Sequence, residues 1–100
     1  MSQEIVELVL FKLAEGVSEA DFLAAAQETD RWLQRQTGYL RRELSRDEAG
    51  QWADVVHWES LALAEAAAAG FMEEPAGQQM AALLAGDSVQ IFHTEVVHRA

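Results

Sequence analysis

Along the chain, short stretches in which the side-chain pattern repeats every two residues alternate with stretches in which apolar residues recur at helical spacing. Residues 4–13 predict a strand that is apolar on both faces, and residues 88–98 predict another at the far end. Between them, residues 39–46 and 51–59 predict two strands joined by a short loop that ends in glycine. Loops of this kind are typical of an antiparallel hairpin.

Two of the intervening segments carry helix signals. Ser18 is suited to cap a helix, with Asp21 three residues later. Residues 61–70 predict an alanine-rich helix, and Pro75 suits the first turn of a shorter helix that runs to about residue 84. Small or apolar residues recur at helical spacing after Ser18, up to a glycine that suits a helix end: Phe22, Ala25, Ala26, Thr29, Trp32, Leu33 and Gly38.

The order of these elements predicts the fold class. Strand, helix, strand, strand, helix, strand is the βαββαβ pattern of the ferredoxin-like α+β folds. Short connections and right-handed crossovers turn it into a four-stranded antiparallel sheet with the helices on one face. A chain of 100 residues suits one hydrophobic core, so residues 1–100 are expected to form a single domain.

Alternation along the strands separates two sets of side chains. A uniformly apolar set is expected to face the helices: Val6, Leu8, Leu10, Leu40, Leu44, Val56, Trp58, Phe92 and Val96. The opposite set mixes large apolar and ionisable groups: Glu7, Val9, Phe11, Tyr39, Arg41, Glu43, Val55, His57, Glu59, Ile91, His93 and Glu95.

The apolar members of the mixed set predict a homodimer. On a monomer they would form an exposed apolar patch, and such patches usually mark an interface or a ligand site. Two copies of the sheet stacked by a two-fold axis would cover them, and a pocket lined by the mixed set would lie between the sheets.

The composition of the chain limits the kinds of partner that it can bind. A net charge of −10 argues against nucleic acid and against anionic membranes, since both bind basic surfaces. Clustered Arg41, Arg42 and Arg46 are expected to balance nearby acids. No apolar run is long enough for a membrane span, the first residues show no signal-peptide pattern, and the absence of cysteine leaves no thiol chemistry. A cytoplasmic protein is expected.

Several short motifs along most of the chain are shared with a known family: Phe11-Lys12-Leu13, Gly16-Val17-Ser18, Phe22, Gly38-Tyr39-Leu40 and Val56-His57-Trp58-Glu59-Ser60. Together they resemble the antibiotic biosynthesis monooxygenase-like domains of the dimeric α+β barrel superfamily. The resemblance implies that fold, a homodimer, and a small-molecule activity such as cofactor-free oxygenation of aromatic polyketides or quinols. The haem degraders and some polyketide oxygenases of the superfamily would call for a pocket asparagine, and this sequence contains none.

Two histidines of the mixed set are the first catalytic candidates. His57 or His93 could remove a proton from a phenol or hydroquinone, because histidine changes charge near neutral pH. Glu43, among the neighbouring carboxylates, would orient the base, and Arg41 would hold the resulting phenolate. The alternatives are a purely structural hydrogen-bonded network, or a metal held by two histidines and a carboxylate. Of these two, the network is the stronger, and no metal or other cofactor is expected.

The remaining pocket candidates are mostly apolar, and simple packing is the alternative role for the aromatic ones. They are Glu7, Val9, Phe11, Tyr39, Val55, Ile91 and Trp32. Trp58 is expected in the core, and Trp52 at the dimer contact or surface.

Three functional hypotheses follow. The first is a dimer that binds a small aromatic molecule, as a cofactor-independent monooxygenase of a phenolic, quinol or polyketide-like compound. The second is a non-catalytic binding or stress-related protein of the same fold. The third is a haem-binding protein with one histidine as axial ligand.

Overall fold

The computed structural model describes residues 3–100, which form a four-stranded antiparallel sheet with helices packed on one face. The strand order is β2-β3-β1-β4, so the first strand lies between the third and the fourth. The predicted ferredoxin-like α+β fold is confirmed. The elements are β1 (Ile5–Phe11), α1 (Glu19–Gln34), β2 (Tyr39–Arg46), β3 (Trp52–Trp58), α2 (Leu61–Glu73), α3 (Pro75–Ala82) and β4 (Gln90–Glu95).

The helix starts are set by local capping groups. The hydroxyl of Ser18 accepts a hydrogen bond from the backbone N–H of Asp21 at 3.1 Å, as predicted. Ser60 caps α2 in the same way, through the backbone N–H of Leu63, and Pro75 occupies the first turn of α3. Gly38 does not cap α1, because that helix already ends at Gln34; its φ of +87° instead turns the chain into β2.

The pairing register decides which side chains share a face, because residues directly opposite each other point the same way. Glu7 lies opposite Val56 on β3 and His93 on β4, and Leu8 lies opposite Val55 and Phe92. We call the side packed against the helices the helix face. The other side is the open face, which carries Val6, Leu8, Leu10, Ala53, Val55, His57, Phe92 and Thr94.

The predicted faces were wrong for β1 and β4. Val6, Leu8, Leu10 and Phe92 lie on the open face, whereas a larger group lies on the helix face: Glu7, Val9, Phe11, Ile91, His93 and Glu95. Tyr39 also faces the helix side, opposite Trp58, because a bulge shifts the register between Tyr39 and Arg41. Since β1 is apolar on both faces, its own alternation could not orient it.

Two apolar clusters fill the space between the sheet and the helices. One contains Trp58 and Leu33, and the other is built on Phe11 and Phe22. Trp52 belongs to the second cluster, with its ring 4.9 Å from that of Phe22, and is only 5% exposed. The expectation that Trp52 lies at the surface or at a dimer contact is therefore wrong for the single chain, because Trp52 packs on the helix face.

A buried arginine joins the sheet to the helices. The side chain of Arg42 on β2 is 5% exposed and forms a bidentate pair with Asp54 on β3, with N···O distances of 3.0 and 2.8 Å. It also donates to Thr29 at 2.7 Å and to Asp30 at 2.9 Å, both on α1. Burial by itself would lower the pKa of Arg42, but the hydrogen bonds and charges of Asp54 and Asp30 raise it, so the guanidinium stays charged.

Among residues 3–100, no helix is long and apolar enough to cross a bilayer.

We expect Arg42→Met to lower the free energy of unfolding by about 3–5 kcal/mol, because Asp54 would be left as a buried, unpaired charge. The double variant Arg42→Met/Asp54→Leu should recover a large part of that loss. Urea unfolding at one fixed protein concentration measures both. Arg46→Met is the matched control: its pair with Glu19 is half exposed, and the expected loss is at most about 1 kcal/mol. Equal losses in the two single variants would contradict a structural role for the buried pair.

Gly38 allows a second test. Gly38 and Gly50 have almost the same positive φ, +87° and +86°, but a Cβ at Gly38 would lie 2.5 Å from Leu63 Cδ1, whereas at Gly50 it would meet no atom within 4 Å. Gly50→Ala should cost about 1–2 kcal/mol from backbone strain alone. Gly38→Ala should cost about 1–3 kcal/mol more because of overpacking. Adding Leu63→Ala should remove most of that difference, as measured by thermal or urea unfolding. If the losses of the two substitutions simply add, the contact between a Cβ at position 38 and Leu63 is ruled out.

Candidate functional site

A cavity of about 330 Å³ lies between the helix face of the sheet and helices α2 and α3. Val9 and Val56 line it from the sheet, and Phe71, Met80 and Leu84 line it from the helical side. Its volume is at the lower end of the range of about 300–1,000 Å³ for ligand pockets. The mostly apolar walls suit a small, flat and apolar molecule.

The mouth of the cavity lies beside β4. The helices pack less extensively against β4 than against β1, β2 and β3. All six residues of β4 are exposed. Ile91 on β4 and Met72 on α2 line the cavity and are 60% and 59% exposed. A ligand could therefore reach the cavity between α2 and the edge strand.

One carboxylate lines the cavity and is held by two ring N–H groups. Glu7 Oε1 accepts a hydrogen bond from the indole N–H of Trp58 at 3.3 Å, and Oε2 lies 3.0 Å from His93 Nε2. The side chains of Glu7 and His93 are 13% and 25% exposed. Because an ionised carboxylate only accepts hydrogen bonds, the proton of neutral His93 lies on Nε2. Within residues 3–100, His93 Nδ1 makes no hydrogen bond, so its lone pair is available.

The cavity holds one further pair of charges, Arg42 and Asp54, which neutralise each other at its wall. Met80 Sδ lies 3.4 Å from Arg42 Nη2 and accepts a hydrogen bond from it.

In the described part of the chain, no group of three His, Asp or Glu side chains has the arrangement of a metal site.

A separate charged network lies on the open face. His57 Nδ1 is 3.1 Å from Glu4, and Nε2 is 3.4 Å from Glu43. Arg41 lies 3.7 Å from each of these carboxylates. The hydrogen bond from His57, together with the pairs to Arg99 and Arg41, lowers the pKa of Glu4 against the opposing effect of burial. Both ring nitrogens of His57 are therefore engaged by protein groups.

The structure separates the predicted catalytic residues into two groups. His57, Arg41 and Glu43 come together on the open face, as the sequence indicated, but His93 lies on the helix face. The two histidines cannot serve one site, because the sheet lies between them.

The predicted pocket residues also divide. Glu7, Val9, Phe11 and Ile91 line the cavity, which lies within one chain rather than between two stacked sheets. Val55 lies on the open face.

The other two predicted pocket residues pack behind the walls. The ring of Tyr39 meets Trp58 edge-on at 6.0 Å, and that of Trp32 meets Phe71 at 5.8 Å. Burial, and then the charge of Asp30, raises the pKa of Tyr39.

Sequence reasoning missed Arg42 and Asp54 as lining residues and assigned Trp58 to the core alone. One signal for the pair was present. Asp54 occupies a position in β3 where Trp52, Val56 and Trp58 are all apolar, so a charge there needs a buried partner. The partner is Arg42 on the neighbouring strand, which lies opposite Val56 and is therefore diagonal to Asp54 on the same face.

Comparisons with known proteins support the fold. No family model and no curated protein matches the chain. Among solved structures, SnoaB, a cofactor-independent oxygenase from Streptomyces nogalater, superposes with a TM-score of 0.73 at 20% identity, over 99% of this chain and 96% of that one. A provisionally named antibiotic biosynthesis monooxygenase from Bordetella bronchiseptica gives 0.74 at 22% identity, over 97% and 100%.

A third such structure, again provisionally named an antibiotic biosynthesis monooxygenase, comes from Nitrosomonas europaea. Its TM-score is 0.75 at 13% identity, over 100% of this chain and 96% of that one. Likeness of shape across nearly whole chains at such low identity is evidence of a shared fold. The chain therefore has the fold of the antibiotic biosynthesis monooxygenase-like proteins, as the resemblance in its sequence predicted.

Proposed function

We propose that the protein is a cofactor-independent monooxygenase that oxidises a small hydroxyaromatic compound, such as a phenol or quinol. The observation that carries the proposal is the position of Glu7, a carboxylate at the wall of an apolar cavity, between the N–H groups of Trp58 and His93. The fold shared with SnoaB is consistent with such an activity.

Glu7 is the proton acceptor in this proposal. It lines the cavity, and two hydrogen bonds fix both of its oxygens. General acid–base catalysis by a positioned group contributes about 10²–10⁴ in rate. His93 is a positioning residue that acts through Glu7, because its Nε2–H holds the carboxylate. The proton that Glu7 accepts is returned to the peroxide in the oxygen step. The base is thus the Glu7–His93 pair rather than a histidine alone.

The substrate supplies the electrons for the oxygen step. Loss of the hydroxyl proton to Glu7 makes an electron-rich phenolate or enolate, whose ring carbon forms a bond to dioxygen. The resulting peroxide takes up a proton to become a hydroperoxide. Loss of the C–H proton with cleavage of the O–O bond then gives a carbonyl and one molecule of water. Four electrons of the substrate reduce one molecule of dioxygen to the carbonyl oxygen and water, so this sequence balances without a separate reductant.

The cavity walls would favour this chemistry physically. Apolar side chains exclude water, which strengthens the hydrogen bonds around Glu7 and limits side reactions of the peroxide. The opening beside Ile91 and Met72 would admit both the aromatic compound and dioxygen.

The test is oxygen consumption with anthrone-type and hydroquinone compounds. We expect Glu7→Gln to lower kcat about 10²–10⁴-fold, because glutamine keeps the shape and can accept from one of the two N–H groups but takes up no proton. His93→Gln should lower kcat less, since the glutamine amide can donate an N–H to Glu7 in place of the imidazole. Product analysis should show one new carbonyl group for each molecule of dioxygen consumed.

The other two histidines provide comparisons. His57→Gln, on the open face, and His98→Gln, in the exposed C-terminal segment, should retain activity within about twofold. A large loss of activity in His57→Gln, with an unchanged free energy of unfolding, would show that the catalytic base lies on the open face instead. Tight binding of aromatics with no oxygen consumption by the unmodified protein would favour the non-catalytic binding protein.

We also propose that the protein is a homodimer formed through the open face. Leu8 and Val55 lie at the centre of that face and are only half-buried in the single chain, and Phe92 is 45% exposed. Covering such a surface with a second copy would bury it, and a two-fold pair is the commonest arrangement. The charged network around His57 would then lie at the rim or inside the interface.

Light scattering during gel filtration tests the dimer. The unmodified protein should have twice the chain mass, and Leu8→Glu should have the mass of a single chain, because a carboxylate would be buried in the apolar centre of the interface. Leu61→Glu is the matched control: Leu61 is 45% exposed at the start of α2 and should leave the mass unchanged. A single-chain mass for the unmodified protein would exclude the homodimer.

A further inference from the structure

The cavity wall carries more negative than positive side chains. Seven side chains of the sequence are lysine or arginine, and Arg42 is the member of that group that lines the cavity. Facing it are two carboxylates, Asp54 and Glu7. With the neutral His93 described above, the wall therefore carries one negative charge in excess, and that charge belongs to Glu7.

Arg42 has no donor left for a ligand. Its Nε–H is used by Asp54, Nη1 by Thr29 and Asp30, and Nη2 by Asp54 and the sulfur of Met80. A guanidinium has five N–H donors, and these contacts account for all of them. An anionic ligand would have to displace Asp54 from a bidentate buried pair, which would leave that carboxylate buried without a partner.

We infer that the cavity selects uncharged hydroxyaromatic compounds and rejects those that carry a carboxylate or another anionic group. This inference rests on the proposed function, because it assigns the selectivity to Glu7, the same group that takes the proton. Two like charges about 6 Å apart at an effective dielectric constant of about 20 repel each other strongly enough for more than a tenfold loss of affinity. Desolvation of the incoming anion in the apolar cavity adds to that loss.

Proton transfer to Glu7 is compatible with this rule. Before transfer the negative charge lies on Glu7 and the aromatic compound is neutral; after transfer Glu7 is neutral and the aromatic compound is the anion. The cavity therefore holds one excess negative charge throughout. A carboxylated substrate would require two at once, and like charges in a shared site disfavour that state.

The test compares three ligands on the purified, unmodified protein by titration calorimetry near neutral pH. They are naphthol, a hydroxynaphthoic acid whose carboxylate lies on the ring away from the hydroxyl, and the methyl ester of that acid. The ester is slightly larger than the acid but uncharged, so it separates charge from size. We expect naphthol and the ester to bind, and the acid to bind at least tenfold more weakly than the ester.

Glu7→Gln locates the source of the selectivity. It removes the resident charge while keeping a side chain of the same shape, so the difference between acid and ester should fall to about threefold or less. Equal binding of acid and ester to the unmodified protein would overturn the inference and leave the proposed function standing. An unchanged difference in Glu7→Gln would overturn the assignment to Glu7. Failure of all three ligands to bind would contradict the cavity as the site, and with it the proposed function.

Discussion

The buried pair of Arg42 and Asp54 is the interaction on which the rest of the structure depends. It joins β2 to β3 through two short hydrogen bonds, joins the sheet to α1 through Thr29 and Asp30, and reaches α3 through the sulfur of Met80. Such a pair adds little net stability over apolar packing, but it penalises every arrangement in which one partner is left alone. It therefore constrains how β2, β3 and the helices fit together.

That constraint also shapes the cavity. Because all donors of Arg42 are used inside the protein, the guanidinium contributes a neutralised wall rather than an anion-binding group. Among residues 3–100, Glu7 is then the carboxylate of the cavity wall that pairs with no arginine or lysine, and its partners are the N–H groups of Trp58 and His93. The proposed proton acceptance and the inferred selection by charge both rest on this one difference between the two carboxylates of the cavity wall.

The two faces of the sheet carry different groups of side chains. The helix face carries the cavity and the Glu7–His93 pair, and the open face carries half-buried aliphatic residues with a charged network around His57. A mixed surface is expected where polar groups give specificity at the edge of an apolar contact. Because the sheet lies between them, a change on the open face would affect the cavity only through the strands that both faces share.

The sequence by itself determined the order and type of the elements, the cap at Ser18, the hairpin after β2 and the ferredoxin-like architecture, because these depend on local periodicity and turn chemistry. It also determined that His57, Arg41 and Glu43 share one face, since all three lie on a hairpin whose register is local. The facing of β1 was decided only by tertiary structure. Both of its faces are apolar, and its partners β3 and β4 are distant in sequence, so long-range pairing placed Glu7 and Phe11 towards the helices and separated His93 from His57. The cavity was decided at the same level, because it is enclosed by α2, α3 and strands that come together only in the folded chain.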